Sequence, residues 1–136
     1  PVTADQARDA VAEMMADDEA SRALGITVSS YGGGRAVARM QVRADMVNGH
    51  AIAHGGLVFT LADTAFAAAC NSVASPTVAA SAEIVFVASA RLGDELVATA
   101  VERTSFGRNG IYDVTVRRGD EVVAEFRGRS HRLARS

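Results

Sequence analysis

Residues 48–66, N-G-H-A-I-A-H-G-G-L-V-F-T-L-A-D-T-A-F, change character half-way along. The first part holds glycines and histidines with no hydrophobic period and reads as a loop. From Gly56 through Cys70 the chain is rich in Ala and Leu and free of proline, which favours a helix. The first amides of a helix have no internal partners and sit at the positive end of its dipole, and Gly55 and Gly56 carry no Cβ to hold a ligand away. The junction is therefore a candidate oxyanion site. Asp63 is the one charged residue inside the apolar helix. An ionised carboxylate among Val58, Leu61, Ala62 and Phe66 is desolvated unless something compensates, which makes it a candidate for chemistry. A helical Asp on a solvated face is the ordinary alternative. His54 has one too, as a hydrogen-bonding loop residue beside glycines, and His50 reads as that kind of residue still more readily.

The 136 residues, 49% hydrophobic and 22% charged, suffice for one core and not for two, so residues 1–136 are expected to form a single domain. Two prolines and the absence of low-complexity runs argue against disorder. The single cysteine, Cys70, excludes an intrachain disulfide framework, and its place in an apolar helix suits a packed thiol better than a nucleophile. No apolar run approaches the ~18 residues of a membrane span, and the acidic start is unlike a secretory signal, so the cytoplasm is the default compartment. All 14 basic residues are arginine, which removes Schiff-base and lysine-nucleophile chemistry. Residues 1–90 carry 5 Arg against 9 acids and residues 91–136 carry 9 against 7, a basic surplus too small and dispersed for nucleic acid but sufficient for a few phosphate contacts.

Along the chain, Thr3 and Gln6 form a capping-box pattern ahead of an amphipathic helix over 4–17. Asp17, Asp18 and Glu19 read as a solvated turn, and Leu24-Gly25 as the stop of a short second helix. The period then becomes two: strands at 26–30 and 35–43 flank the turn Tyr31-Gly32-Gly33-Gly34, forming a hairpin. Residues 44–54 are a loop and 55–72 the central helix. Val78–Val87 is nearly continuous in small and apolar residues, as in a strand covered on both faces, with Glu83 interrupting it. Alternating strands follow at 96–103, 110–118 and 121–132, with Tyr112, Val114, Val116, Val122, Ala124 and Phe126 facing inward. Five or six antiparallel strands, one long helix and a short N-terminal helix make an α+β chain whose sheet buries its apolar face on the helix.

H-G-G, then six residues, then the Asp of L-A-D-T-A-F-A, preceded by M-V-N-G-H, resembles the hotdog-fold acyl-CoA thioesterases of the phenylacetate-degradation (PaaI) type. The likeness continues through Ala69-Cys70-Asn71-Ser72, Gly110–Tyr112 and the closing F-R-G-R-S-H-R, and covers most of the chain after Leu24. It implies a sheet wrapped around the central helix, and hydrolysis of an acyl-CoA thioester, an aryl-acyl one such as phenylacetyl- or hydroxyphenylacetyl-CoA. It also implies Asp63 as nucleophile or general base, the Gly55 amide as oxyanion donor, and Asn48 as a polar partner of the thioester or the attacking water. Relatives of this fold can carry Glu in place of the Asp, so the shorter side chain favours activation of a water. His54, Gly56 and Ser81 are supporting candidates. Phe59, Phe66, Phe86 and Tyr112 are candidate pocket walls, each equally good as core. Arg108 and Gly110, with other late arginines, are candidates for the coenzyme A phosphates. Coenzyme A enters as part of the substrate, with no metal or redox cofactor.

Geometry adds a constraint. Gly55 and Asp63 are eight residues apart, roughly 12 Å along one helix at 1.5 Å per residue. Reacting atoms and oxyanion donors must all come within about 3 to 3.5 Å. One chain can hardly hold both around one carbonyl, whereas two central helices lying antiparallel across a two-fold axis pair Gly55 of one with Asp63 of the other, twice. A homodimer with shared sites is expected, and by resemblance a homotetramer built as a dimer of dimers. Two competing readings are a hotdog dehydratase or hydratase of 3-hydroxyacyl thioesters, which also pairs a His with a helix carboxylate, and a non-catalytic acyl-CoA-binding protein.

Overall fold

The computed structural model describes residues 3–134. Helix α1 spans Ala4–Ala16 and opens on the expected capping box: the Gln6 amide donates to Thr3 Oγ1 at 3.1 Å and the Thr3 amide to Gln6 Oε1 at 3.0 Å. Helix α2, Glu19–Ala23, follows at once. The acidic turn between them is not simply solvated. Asp18 is the N-cap of α2, taking the Ser21 amide at 2.9 Å, and the Ser21 side chain is buried.

Strands β1 (Thr27–Gly32) and β2 (Arg35–Gln41) form the hairpin, with Gly33 and Gly34 at φ of 58° and 83°, backbone that side chains with a Cβ resist. A 3-10 turn at Ala44–Met46 and a bridge between Val47 and Ala53 shape the loop that feeds α3, Gly55–Asn71. Then come β3 (Thr77–Phe86), β4 (Glu95–Phe106), β5 (Asn109–Arg118) and β6 (Glu121–Arg132). β4 outruns its expected end at Arg103 because pairing continues to Phe106 opposite Asn109, leaving Gly107-Arg108 as the turn.

The six strands form one antiparallel sheet in the order β1-β2-β4-β5-β6-β3, with α3 lying across its inner face. Ala36, Ala38 and Met40 of β2, Leu96, Ala98 and Ala100 of β4, and Val114 and Val116 of β5 meet Leu61, Ala62, Ala65 and Phe66 of the helix in one core. The many alanines and Gly128 let the helix sit close: a Cβ at Gly128 would fall 2.8 Å from the Phe66 ring. Among the described residues no helix is long and apolar enough to cross a membrane.

Two strand expectations change. In β6 the inward residue is Val123 and not Val122. An irregularity pairs Val116 with Ala124 but Arg117 with Val122, and the extra residue turns inward. The larger change concerns β3. Its apolar composition suggested cover on both faces, yet it is an edge strand hydrogen-bonded only to β6, and Val85 and Phe86 remain 62% and 54% exposed, as does the following Val87 at 57%. Among the described residues nothing supplies that cover at this edge.

Candidate active site

The start of α3 is built from the loop before it. His54 is the N-cap, its Nδ1 taking the Gly56 amide at 3.1 Å, and its carbonyl takes the amides of Leu57 and Val58 at 3.0 and 3.2 Å. Among the described residues this leaves the Gly55 amide as the one donor of the first turn with no acceptor. An unmatched amide at the positive end of a helix stabilises an oxyanion. His54 is thus a cap that disposes of the neighbouring donors, and Gly56 gives its amide to that cap.

Asn48 stands on the same side. Its Oδ1 accepts the amides of His50 at 2.9 Å and Ile52 at 3.4 Å, which draws the loop tight around Ala51 at φ 61°. With the oxygen so engaged, the side-chain NH2 is the part of Asn48 that remains to donate. Asn48, Gly55, Val58 and Phe86 line one cavity of about 330 Å³ together with Val87–Ala90 and Val123. Phe86 lies directly on the glycine: a Cβ at Gly55 would fall 2.9 Å from Cζ of the ring. Sequence alone counted Phe86 as core or pocket wall alike; the structure puts it on the wall, against the free amide.

Asp63 is two turns further along. Gly56, Thr60, Asp63 and Ala67 recur at helical spacing and form the stripe of α3 that the chain's own sheet leaves incompletely covered. The Asp63 side chain is half-buried, and among the described residues it makes neither a hydrogen bond nor an ion pair. Burial pushes its carboxyl above the usual carboxylate range, and the Asp18 charge pushes it the same way. It does not line the Asn48–Gly55 cavity. One chain therefore holds free donors without a carboxylate at the start of α3 and a carboxylate without donors at its middle.

The remaining candidates fall elsewhere. Ser81 pairs in register with Arg129, so it shares the outer face of the sheet and lines a separate cavity with Glu83, Ile111 and Arg127. Its face depended on the irregularity between Ala79 and Ser81, which no alternation pattern reveals. Phe66, 1% exposed, packs on Tyr112 and Phe126 with ring centroids 5.5 and 5.8 Å apart, and is core. Phe59 leans on Phe126 at 5.3 Å and is half-buried. Arg108 and Gly110 line a third cavity of about 150 Å³ at the C-terminal end of α3, with Cys70, Glu102, Tyr112 and Arg132. Gly110 serves packing there, since a Cβ would fall 2.9 Å from Ser130 Oγ and 3.0 Å from the Tyr112 ring. Burial pushes the Cys70 thiol up to about 12, so it stays protonated and inert.

The thioesterase superfamily model matches residues 50–125, from the loop before α3 into β6. The acyl-coenzyme A thioesterase PaaI of Escherichia coli is 46% identical over 121 residues, 88% of this chain and 86% of that one. The structure of the E. coli PaaI protein from the phenylacetic acid degradation operon has a TM-score of 0.92 at 42% identity and covers 96% of both chains. A structure of the phenylacetic acid degradation protein PaaI of Thermus thermophilus has a TM-score of 0.83 at 38% identity, covering 85% of this chain and 100% of that one. The family model spans more than half of the sequence, including the loop-to-helix junction and Asp63, and the likeness to a thioesterase runs along most of the chain: it belongs to the thioesterase superfamily.

Proposed function

We propose that the chain hydrolyses acyl-CoA thioesters at sites shared between two copies, each site combining Gly55 and Asn48 of one protomer with Asp63 of the other. The observation that carries this reading is the separation on α3 of an unmatched Gly55 amide from an unpaired, half-buried Asp63. The exposed apolar β3 edge supports it, because a long strand edge of this kind invites a partner. So does the open stripe of Gly56, Thr60, Asp63 and Ala67, whose small side chains allow a second α3 to approach closely. A dimer of dimers is the larger assembly proposed.

In this mechanism the thioester carbonyl oxygen points at the Gly55 amide, with the Asn48 NH2 holding the thioester or the water. Asp63 takes a proton from a water as the water's oxygen bonds to the carbonyl carbon, the oxyanion forms against Gly55, and its collapse breaks the carbon–sulfur bond as Asp63 returns the proton to the departing sulfur, releasing the thiol and the acid. A carboxylate whose burial raises its proton affinity is a stronger base, and the short Asp side chain favours this route over direct attack by Asp63. Arg91, beyond the cavity-lining Ala88–Ala90, makes no ion pair among the described residues and is a cation suited to a coenzyme A phosphate. The proposed acyl group is aryl, phenylacetyl or hydroxyphenylacetyl, in keeping with the phenylacetic acid degradation proteins it resembles. His54, whose Nδ1 is engaged by Gly56, is poorly placed to abstract a proton as a dehydratase would require.

The test is a panel of acyl-CoA thioesters assayed for free thiol and for enoyl product. Thiol release, greatest with aryl-acetyl groups and lost in Asp63→Asn, is expected. Enoyl product without thiol, or binding with no turnover of any thioester, would contradict the reading.

A further inference from the structure

The junction of α1 and α2 is tied to α3 one residue beyond Asp63. Asp18 Oδ2 accepts from Ser21 Oγ at 2.7 Å, and Ser21 Oγ lies 2.8 Å from Thr64 Oγ1. Ser21 and Thr64 are buried, 2% and 6% exposed, so this short polar chain ties the start of α2 to α3 at the residue following Asp63. Helix N-capping accounts for the bond from the Ser21 amide to Asp18. It does not account for a buried hydroxyl pair that spends its hydrogen bonds on tying a carboxylate to the turn of α3 that carries a second, unpaired one.

We propose that Asp18 is a positioning residue of the site, clamped to α3 through Ser21 and Thr64 so that its charge faces Asp63 and strengthens Asp63 as a proton acceptor. The inference rests on the thioesterase reading for its catalytic consequence. Two carboxylates held near one another disfavour the second ionisation. Among the described residues no cation is paired with either of them: Arg8 of α1 is paired with Asp5 and Arg22 of α2 with Glu19, and Asp17 is exposed. On α3 the Cys70 thiol is kept neutral by burial. The sheet residues beneath the helix are apolar except Ser130, Tyr112 and Glu102, whose carboxylate accepts from the Tyr112 hydroxyl at 2.7 Å, while Glu83 shares the outer face with Arg127. The shift of Asp63 agrees with this arrangement, Asp18 being the charge that adds to burial.

Asp18→Asn separates the charge from the structure, because Asn is an equally good N-cap and its side chain can still bond both Ser21 groups. The expected result is that the acid limb of the kcat/KM profile moves to lower pH and kcat on the plateau falls by roughly 2- to 5-fold, with KM unchanged. Ser21→Ala, which releases the clamp but keeps the charge, should move the limb in the same direction by less. A merely structural role predicts lower thermal stability with the limb in place, and that outcome would overturn the proposal. Carboxyl carbon-13 titration of Asp63 in wild type and Asp18→Asn keeps this test separate from the thioesterase reading. A lower Asp63 midpoint in the variant supports the proposal even if no thioester is turned over, and an unmoved midpoint contradicts it even if one is.

Discussion

The two halves of α3 are built for opposite tasks. Its first turn is polar in its loop partners and lined by a cavity, with one amide spare after His54 has taken Gly56, Leu57 and Val58. Its middle is apolar on the sheet side and carries one carboxylate that finds no donor in its own chain. Elsewhere the molecule matches its polar groups; no buried side-chain nitrogen or oxygen among the described residues lacks a partner. Leaving a donor at one end and an acceptor group at the middle, about 12 Å apart by helical rise, is wasteful within one chain and complementary between two.

The sharpest way to break this contrast is to remove the carboxylate's charge and keep its shape. Asp63→Asn should lower kcat by about 10³-fold with little change in KM, since the group acts on the proton in the transition state. In wild type, activity should fall as pH drops through the Asp63 titration. Because burial raises that carboxyl, the acid limb should lie above the ordinary carboxylate range; a limb within or below that range would count against Asp63 as the base. The first turn is broken differently. Gly55→Pro removes the spare amide at a helix position where proline fits, after a His54 already extended at ψ 129°. Loss of about 10²-fold in kcat is expected, whereas Gly55→Ala keeps the amide and only crowds the Phe86 ring, so it should cost less. Equal losses for the two would show that space and not the donor matters.

Asn48→Ala should lower kcat/KM by roughly tenfold and loosen the loop, because the side chain also accepts the His50 and Ile52 amides. The smallest effect is expected of His54→Ala. Losing the cap should lower stability by about 1 kcal/mol, read from thermal unfolding, while activity changes only a few-fold because the Gly55 amide stays in place.

How legible these regions were follows from how local their causes are. The helix over 55–72, the α1 box at Thr3 and Gln6 and most strand limits depend on residues a few positions apart, and the structure reproduces them to within a few residues. The separation of Gly55 from Asp63 follows from helical rise alone. What sequence missed depended on distant contacts. Val123 replaced Val122 inside because of one irregular pairing, and Ser81 faces outward because of another. Asp17-Asp18-Glu19 looked like solvated charge, and only the burial of Ser21 against Thr64 draws Asp18 toward α3. The β3 strand was read as covered on both faces from its apolar content, and the sheet order instead leaves it at an exposed edge.

The central claim is that a working site takes its donor from one protomer and its base from the other. Chains carrying Asp63→Asn and chains carrying Gly55→Pro, differently tagged and co-expressed, can be purified as the mixed dimer and assayed beside each parent homodimer. Shared sites predict that the mixed dimer recovers about half of wild-type turnover, one site in two being intact, while both homodimers remain near background. A mixed dimer as inactive as its parents would mean that each chain works alone, and the account would be wrong.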